Sequence, residues 1–308
     1  MQSLKIKRFD PKTMERCRLD PNKGPPTIII IGSRGTGKTY LLKQLMYHFR
    51  KIPAGMIITG SEASAETFGE FFPRSFIYDE VDTERIEKIA DTQTKLRKKK
   101  TEGDYSSCLI FDDCGYDKSI TRKKIIKKIF CNGRHLKILL VMTVQYCKDI
   151  PPDLRSNADY VFILKENVQE NKKKLWKEYA GIVDDFDTFN QIMNSCTDNR
   201  GVLVIDNTSI SNDLTENLFW YRASPVIKPF KVGSASLWKF HEENYKSEDD
   251  SDDNTSGMIA KKKKPSIVIK KLKGKGKTKT KPTDNVKLNT KSNDAVKVEN
   301  KIQIQPKT

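Results

Sequence analysis

The stretch Thr27-Ile-Ile-Ile-Ile-Gly-Ser-Arg-Gly-Thr-Gly-Lys-Thr39 constrains this chain more than any other part of it. Ile28 to Ile31 form a β-branched run that reads as a fully buried strand. The loop Gly32, Ser33, Arg34, Gly35, Thr36, Gly37 follows, and Lys38 and Thr39 then open a helical pattern, Tyr40-Leu-Leu-Lys-Gln-Leu-Met46. This is G-x-x-x-x-G-K-[ST] in full, in the strand–loop–helix setting that the motif requires. Glycines let backbone N–H groups curl around a polyphosphate, and the helix N-terminus adds its positive end. Lys38 is expected to reach the β- and γ-phosphates, and the Thr39 hydroxyl to ligate Mg²⁺. The expectation is a nucleotide polyphosphate site with Mg²⁺ beside it.

Charge narrows the reading less than its size suggests. The 308 residues carry a formal net charge of +17. Residues 261–308 hold 16 lysines, no arginine and three acidic residues, which is +13, so residues 1–260 carry only +4. The body of the chain is therefore mildly basic, and any basic track on it must come from local clustering. The six cysteines form no C-x-x-C pair and read as reduced thiols. Residues 1–20 are charged throughout, which excludes a signal peptide, and no apolar run reaches the length of a membrane span. The expected location is intracellular.

Along the chain, residues 1–23 read as a basic arm or a short edge strand from Ser3 to Phe9, delivered by Lys23-Gly-Pro-Pro26 into the first long strand. Strands are expected at residues 56–59, 76–78, 108–113, 137–143, 159–164, 201–206 and 218–222. Helices are expected from about 38 to 50, 82 to 100 and 119 to 132, with a charged helical region over 165–200. Lys95-Leu-Arg-Lys-Lys-Lys100 reads either as a solvated helix end that complements the helix dipole or as a nucleic-acid contact. Alternation of strands and helices implies an α/β fold with a parallel sheet covered on both faces. From residue 246 an acidic block, Ser247 to Asp253, gives way to the lysine-rich segment. Such a composition cannot bury enough apolar surface to offset its chain entropy, so 246–308 is expected to be disordered.

A phosphate loop does not name a reaction, and the carboxylates narrow the choice. Leu109-Ile-Phe-Asp112-Asp113 is an apolar strand ending in two carboxylates. Asp112 is placed to hold the Mg²⁺ shell, and Asp113 to orient or deprotonate an attacking water. Gln145 ends a further strand, where an uncharged amide can donate to a phosphate oxygen and accept from the attacking water. A GTPase reading is weakened because no Asn-Lys-x-Asp run is present, and a nucleotide kinase reading because no arginine-rich lid is visible.

Gly32–Thr39, Asp112-Asp113, Asn132-Gly-Arg-His135, Thr143-Val-Gln145 and Pro151 to Asn157 followed by Asp159-Tyr-Val-Phe162 together resemble the genome-packaging ATPases of nucleocytoplasmic large DNA viruses, a branch of the FtsK/HerA-type DNA pumps. The late pieces Gly201 to Asp206 and Phe219 to Arg222 look like the same family, so the resemblance covers about residues 24–225. It implies a P-loop fold with an additional strand between the P-loop strand and the carboxylate strand. It also implies ATP hydrolysis, a homo-oligomeric ring, and translocation of double-stranded viral DNA into a preformed capsid. Capsid or inner-membrane components would be further partners, and the virus factory and virion the locations. By position, Lys38 and Thr39 would be the phosphate and metal residues, Asp112 the metal-shell acid, Asp113 the base and Gln145 the γ-phosphate sensor. The wider superfamily usually carries Glu where this chain has Asp113, whose side chain, one methylene shorter, must sit closer. Ring motors complete a neighbour's site with an arginine, for which Arg155, after a Pro-Pro loop, and Arg134 are the candidates.

The organisation expected is an arm at 1–23, an ATPase domain at 24–245 and a tail at 246–308. Two other readings stay open at this point. One is a helicase-like or DNA-partition ATPase of the same superfamily; the other is a non-enzymatic, ATP-gated scaffold that binds nucleic acid.

Overall fold

The computed structural model describes residues 5–20, 22–115 and 119–245. The expected tail at 246–308 lies outside the described residues, as do residues 1–4 of the expected arm. Among the described residues nine strands form a single sheet: β1 (Lys7–Arg8), β2 (Thr27–Ile31), β3 (Ala54–Thr59), β4 (Ile77–Tyr78), β5 (Ser107–Asp112), β6 (Ile138–Val144), β7 (Tyr160–Ile163), β8 (Val202–Asp206) and β9 (Leu218–Tyr221). Their order across the sheet is β1-β9-β8-β7-β2-β6-β5-β3-β4. From β7 to β4 every pairing is parallel, whereas β8 runs antiparallel to both β7 and β9. The fold is therefore α/β with a mostly parallel central sheet, as the alternating pattern implied.

The decisive feature of the order is β6. It separates β2, which feeds the glycine loop, from β5, which carries the carboxylates. This is the additional strand that the resemblance implied. Ile31 is level with Val144 on one side and Ile163 on the other, so the three central strands end flush. Ligand crevices in open parallel sheets lie just beyond such carboxyl ends.

The isoleucines of β2 alternate between two cores. Ile29 and Ile31 join one cluster, Ile28 and Ile30 the other, and all four are buried. The first cluster is covered by α4 (Thr83–Lys98), α5 (Lys124–Asn132), the short α6 (Pro152–Arg155), α7 (Gln169–Tyr179) and α8 (Phe186–Thr197). The second packs against α1 (Lys12–Leu19), α2 (Lys38–His48) and α3 (Glu62–Gly69). The remaining helices are α9 (Leu214–Asn217), before β9, and α10 (Ala235–Asn244), at the end of the described residues. Among the described residues no helix is long and apolar enough to cross a membrane.

Three local features qualify the sequence expectations. The helix expected over 119–132 is split: Ile120–Arg122 is a 3₁₀ turn, Lys123 is extended, and α5 starts at Lys124. The short strand near residue 76 begins only at Ile77, after a 3₁₀ turn over Arg74–Phe76. At the N-terminus, β1 is an edge strand within the expected Ser3–Phe9 stretch, whereas α1 is not among the expected helices, and both are fastened to the body. Phe9 is buried and sits edge-on to Tyr160, Phe162, Phe219 and Tyr221, while its N–H donates to Trp220 O at 2.8 Å. On α1, Met14 is buried and Arg18 pairs with Asp104 and donates to Ser106 Oγ.

Candidate active site

Glycine is required twice in the loop after β2 by backbone conformation. Gly35 has φ 77° and Gly37 φ 98°, a region that side chains with a Cβ enter at a cost. Gly32 is required by space, since a Cβ there would stand 2.6 Å from Thr36 Oγ1 and 2.9 Å from Leu164 Cβ. Thr36 Oγ1 donates to Ser33 O at 2.7 Å and closes the loop on itself. Gly37 caps α2, so Lys38 and Thr39 occupy the first helical turn, where unpaired N–H groups and the dipole favour an anion. Ser33, Arg34, Gly35 and Gly37 are exposed at this edge.

The Lys38 side chain turns back over the loop. Its Nζ donates to Gly32 O at 2.9 Å and to Ser33 O at 3.3 Å, and the residue is buried. Burial pulls its pKa down, and the negative charges of Asp113 and Asp112 oppose that shift. Lysine and both carboxylates therefore share one electrostatic site, although they lie on β5 and at the start of α2.

The carboxylates are set by β6. Thr143 Oγ1 donates to Asp112 Oδ1 at 2.8 Å and accepts the Asp113 N–H at 2.9 Å. One hydroxyl thus fixes both acids. Burial raises the Asp112 pKa, and the Thr143 and Ser64 hydroxyls and Lys38 counter it, while Asp113 adds to it. Asp113 has φ 52°, a left-handed conformation that Asp tolerates better than most residues. This kink turns its side chain towards β6, where Gln145 Nε2 donates to Asp113 Oδ1 at 2.5 Å. Gln145 stands one residue beyond the end of β6, two after Thr143.

Thr143 and Ser64 are absent from the sequence-based candidate set. Period-2 alternation back from Gln145 would have found Thr143. No local signal marks Ser64, which comes from α3 and stands 3.5 Å from Thr39 Oγ1.

The donors present fit a hard divalent cation. Asp112 Oδ2 is buried with no hydrogen-bond partner among the described residues, and the Thr39 hydroxyl lies on the same side of the loop. Thr39 and Asp112 are thus the residues that would hold it.

The two candidate arginines sit apart from this group. Arg155, expected on a projecting loop, is instead 8 % exposed, paired with Glu178 at 2.5 Å and stacked over the Tyr179 ring. The Pro-Pro step starts the short helix α6, and that turn packs the arginine inward. Arg134 keeps a side chain 52 % exposed and pairs with buried Asp159, whose Oδ2 also accepts the Thr27 N–H at 2.7 Å. Thr27 opens β2, so Arg134 lies at the sheet edge opposite the glycine loop.

Residues 15–219 match the family described as Poxvirus A32 protein. The uncharacterized protein 075L of Invertebrate iridescent virus 6 is 33 % identical over 248 residues, covering 79 % of this chain and 96 % of that protein. The uncharacterized protein L437 of Acanthamoeba polyphaga mimivirus is 34 % identical over 232 residues, covering 72 % and 81 % respectively. Among solved structures, the genome packaging NTPase B204 of Sulfolobus turreted icosahedral virus 2, in complex with AMPPCP, superposes with a TM-score of 0.47. That match is 16 % identical and covers 66 % of this chain and 98 % of the other.

Proposed function

The chain belongs to the Poxvirus A32 protein family, the packaging ATPases of large DNA viruses, and from that premise we propose that it hydrolyses ATP to drive double-stranded DNA into a preformed capsid. The observation that carries this reading is the convergence of Lys38, Asp112, Asp113 and Gln145 on one sheet edge, with β6 holding both acids through Thr143. The loop N–H groups and the start of α2 receive the phosphates, and Lys38 neutralises charge that grows on the β- and γ-oxygens. Mg²⁺, when bound at Thr39 and Asp112, supplies Lewis-acid neutralisation of the same oxygens. Asp113 takes the proton of the attacking water, and Gln145 keeps its carboxylate turned to the site. Arg34, exposed in the loop, adds positive charge at its rim.

Steady-state ATP hydrolysis measured with and without duplex DNA tests the reading. Hydrolysis stimulated by duplex supports it. Nucleotide binding without hydrolysis would favour the scaffold, and displacement of a strand from a blunt duplex would favour the helicase. The place of action follows as the virus factory of an infected cell, with a capsid or inner-membrane component as docking partner.

For duplex DNA we look to α5. From Ser119 to Lys148 the sequence has no acidic residue, and Arg122, Lys124, Lys127 and Lys128 are exposed on the segment that follows the carboxylates. Arg122 precedes α5 and Lys127 is paired with Asp153, which leaves Lys124 and Lys128 as the exposed cations of α5 to test. The double variant K124E/K128E is expected to bind a random duplex more weakly and to lower the salt slope by roughly two, at about 0.9 per phosphate. Its hydrolysis rate without DNA should equal the wild type. Fluorescence anisotropy across a salt series reads this, and an unchanged slope would remove α5 from the DNA path.

In a ring, Arg134 suits the part played in a neighbour's site better than Arg155. Its side chain is half exposed, although paired with Asp159, and it lies at the sheet edge opposite its own loop, whereas Arg155 is buried against Glu178. Arg134→Ala alone is expected to be inactive, and mixing it with Lys38→Ala should restore partial hydrolysis, because one interface in the mixture then has both groups intact. Arg155→Ala should instead lower stability by about 1–3 kcal/mol, through loss of a charged hydrogen bond to partly exposed Glu178 and of the packing over Tyr179. If mixing restores nothing while Arg134→Ala remains folded, the arginine acts elsewhere.

A further inference from the structure

Beside the glycine loop, three oxygen-bearing side chains from separate segments approach one another, and one of them belongs to no phosphate-binding motif. Ser64 lies in the first turn of α3, behind β3. The Ser61 side chain accepts its backbone N–H at 3.4 Å, which caps α3 and fixes where Ser64 stands. From there Ser64 Oγ is 3.5 Å from Thr39 Oγ1. Strand pairing brings α3 alongside Asp112, because Thr59, five residues before Ser64, is level with Asp112 across β3 and β5. Asp112 is only 1 % exposed; its Oδ1 accepts from Thr143, and its Oδ2 has no hydrogen-bond partner among the described residues. An unpaired carboxylate oxygen at that depth is costly until something meets it.

We propose that Ser64 is a positioning residue for the divalent cation: with Thr39 and Asp112 it completes a cradle of hard oxygens and holds the cation's coordinated water in place. The assignment rests on the ATP–Mg²⁺ reading above. Mg²⁺ keeps several waters and demands near-octahedral placement, so hydroxyls that orient those waters matter as much as the direct ligands. The nearest thiol does not compete. The Cys114 Sγ is taken up by donation to Ile58 O and Asp112 O, both at 3.4 Å. The donor set is therefore oxygen alone, which suits Mg²⁺ or Mn²⁺.

The test is a Mn²⁺ titration followed by electron paramagnetic resonance, on the full chain with a non-hydrolysable ATP analogue. Ser64→Ala is expected to weaken Mn²⁺ about tenfold, the lower range for loss of a group that orients metal ligands. Ser64→Thr, which keeps the hydroxyl, should bind Mn²⁺ as the wild type does. Binding of the analogue in excess EDTA should be equal in all three. Ser64→Ala with wild-type Mn²⁺ affinity would overturn the assignment. So would loss of analogue binding in EDTA to the same extent, since Ser64 would then only support the loop. If Ser64→Ala does not fold, Ser64→Cys fills the same space without a hard donor and is read in the same titration, weakened Mn²⁺ binding supporting the assignment and unaltered binding overturning it. Failure of the wild-type chain to bind the analogue would remove the nucleotide reading and this assignment together, whereas retained analogue binding with unaltered Mn²⁺ affinity removes this assignment alone.

Discussion

Lys38→Ala is expected to lower ATP hydrolysis by roughly three orders of magnitude, as removal of a preorganised charge from a transition state does. The circular dichroism spectrum and the urea midpoint should stay close to the wild type. Lys38 is buried, and among the described residues its ammonium donates to the carbonyls of Gly32 and Ser33 in its own loop. Losing those two hydrogen bonds costs about 1–3 kcal/mol at most, because each contributes little net stability. The sheet that carries the fold is untouched, since Ile28 to Ile31 pack into both cores without the lysine. Alanine at this first-turn position also favours α2. A folded Lys38→Ala protein that still hydrolyses ATP at the wild-type rate would end the assignment of the loop as the phosphate site.

Asp113→Asn should bind ATP and Mg²⁺ as the wild type does yet turn over at least about a hundredfold more slowly, the loss expected of a positioned base. The substitution isolates the base because it disturbs little else. Asparagine accepts the left-handed backbone at this position as readily as aspartate does. Its amide oxygen can still accept from Gln145 Nε2, and its N–H still donates to Thr143. Only the capacity to take a proton is gone. Asp112→Asn has a different signature: the midpoint of the Mg²⁺ dependence should rise, because Asp112 is the residue with the unpaired buried oxygen. Normal single-turnover hydrolysis by Asp113→Asn would move the base to another residue.

The family's packing chemistry explains why so much of the site was legible in one dimension. The run from Thr27 to Thr39 encodes strand, loop and helix start within a few residues, through β-branching, missing Cβ atoms and a cation at a helix N-terminus. The apolar strand ending in Asp112-Asp113 is equally local. Gln145 could be assigned because it ends its own strand, and the resemblance to packaging ATPases placed that strand between the other two, where β6 lies. In each case the signal is held by neighbours in sequence, where backbone preference and alternation act.

What tertiary structure alone decided depends on pairs far apart in the chain. Thr143 fixes the two acids because β6 inserts beside β5, and no feature of Asp112 announces a partner 31 residues away. Ser64 reaches Thr39 only because α3 starts above the same crevice. Arg155 reads as a projecting arginine from its Pro-Pro flank, but Glu178 and Tyr179 of α7 draw it inward. Phe9 reads as part of a polar arm, yet four aromatic rings from β7 and β9 receive it. By itself the sequence determined the strand, glycine loop and helix start over residues 27–39, the carboxylate strand and the parallel α/β class, because turn conformation and burial periodicity are properties of short segments. The strand partners, the hydroxyls that orient the acids and the burial of single charged side chains were decided by the assembled sheet, because each depends on which distant residue supplies the neighbouring atom.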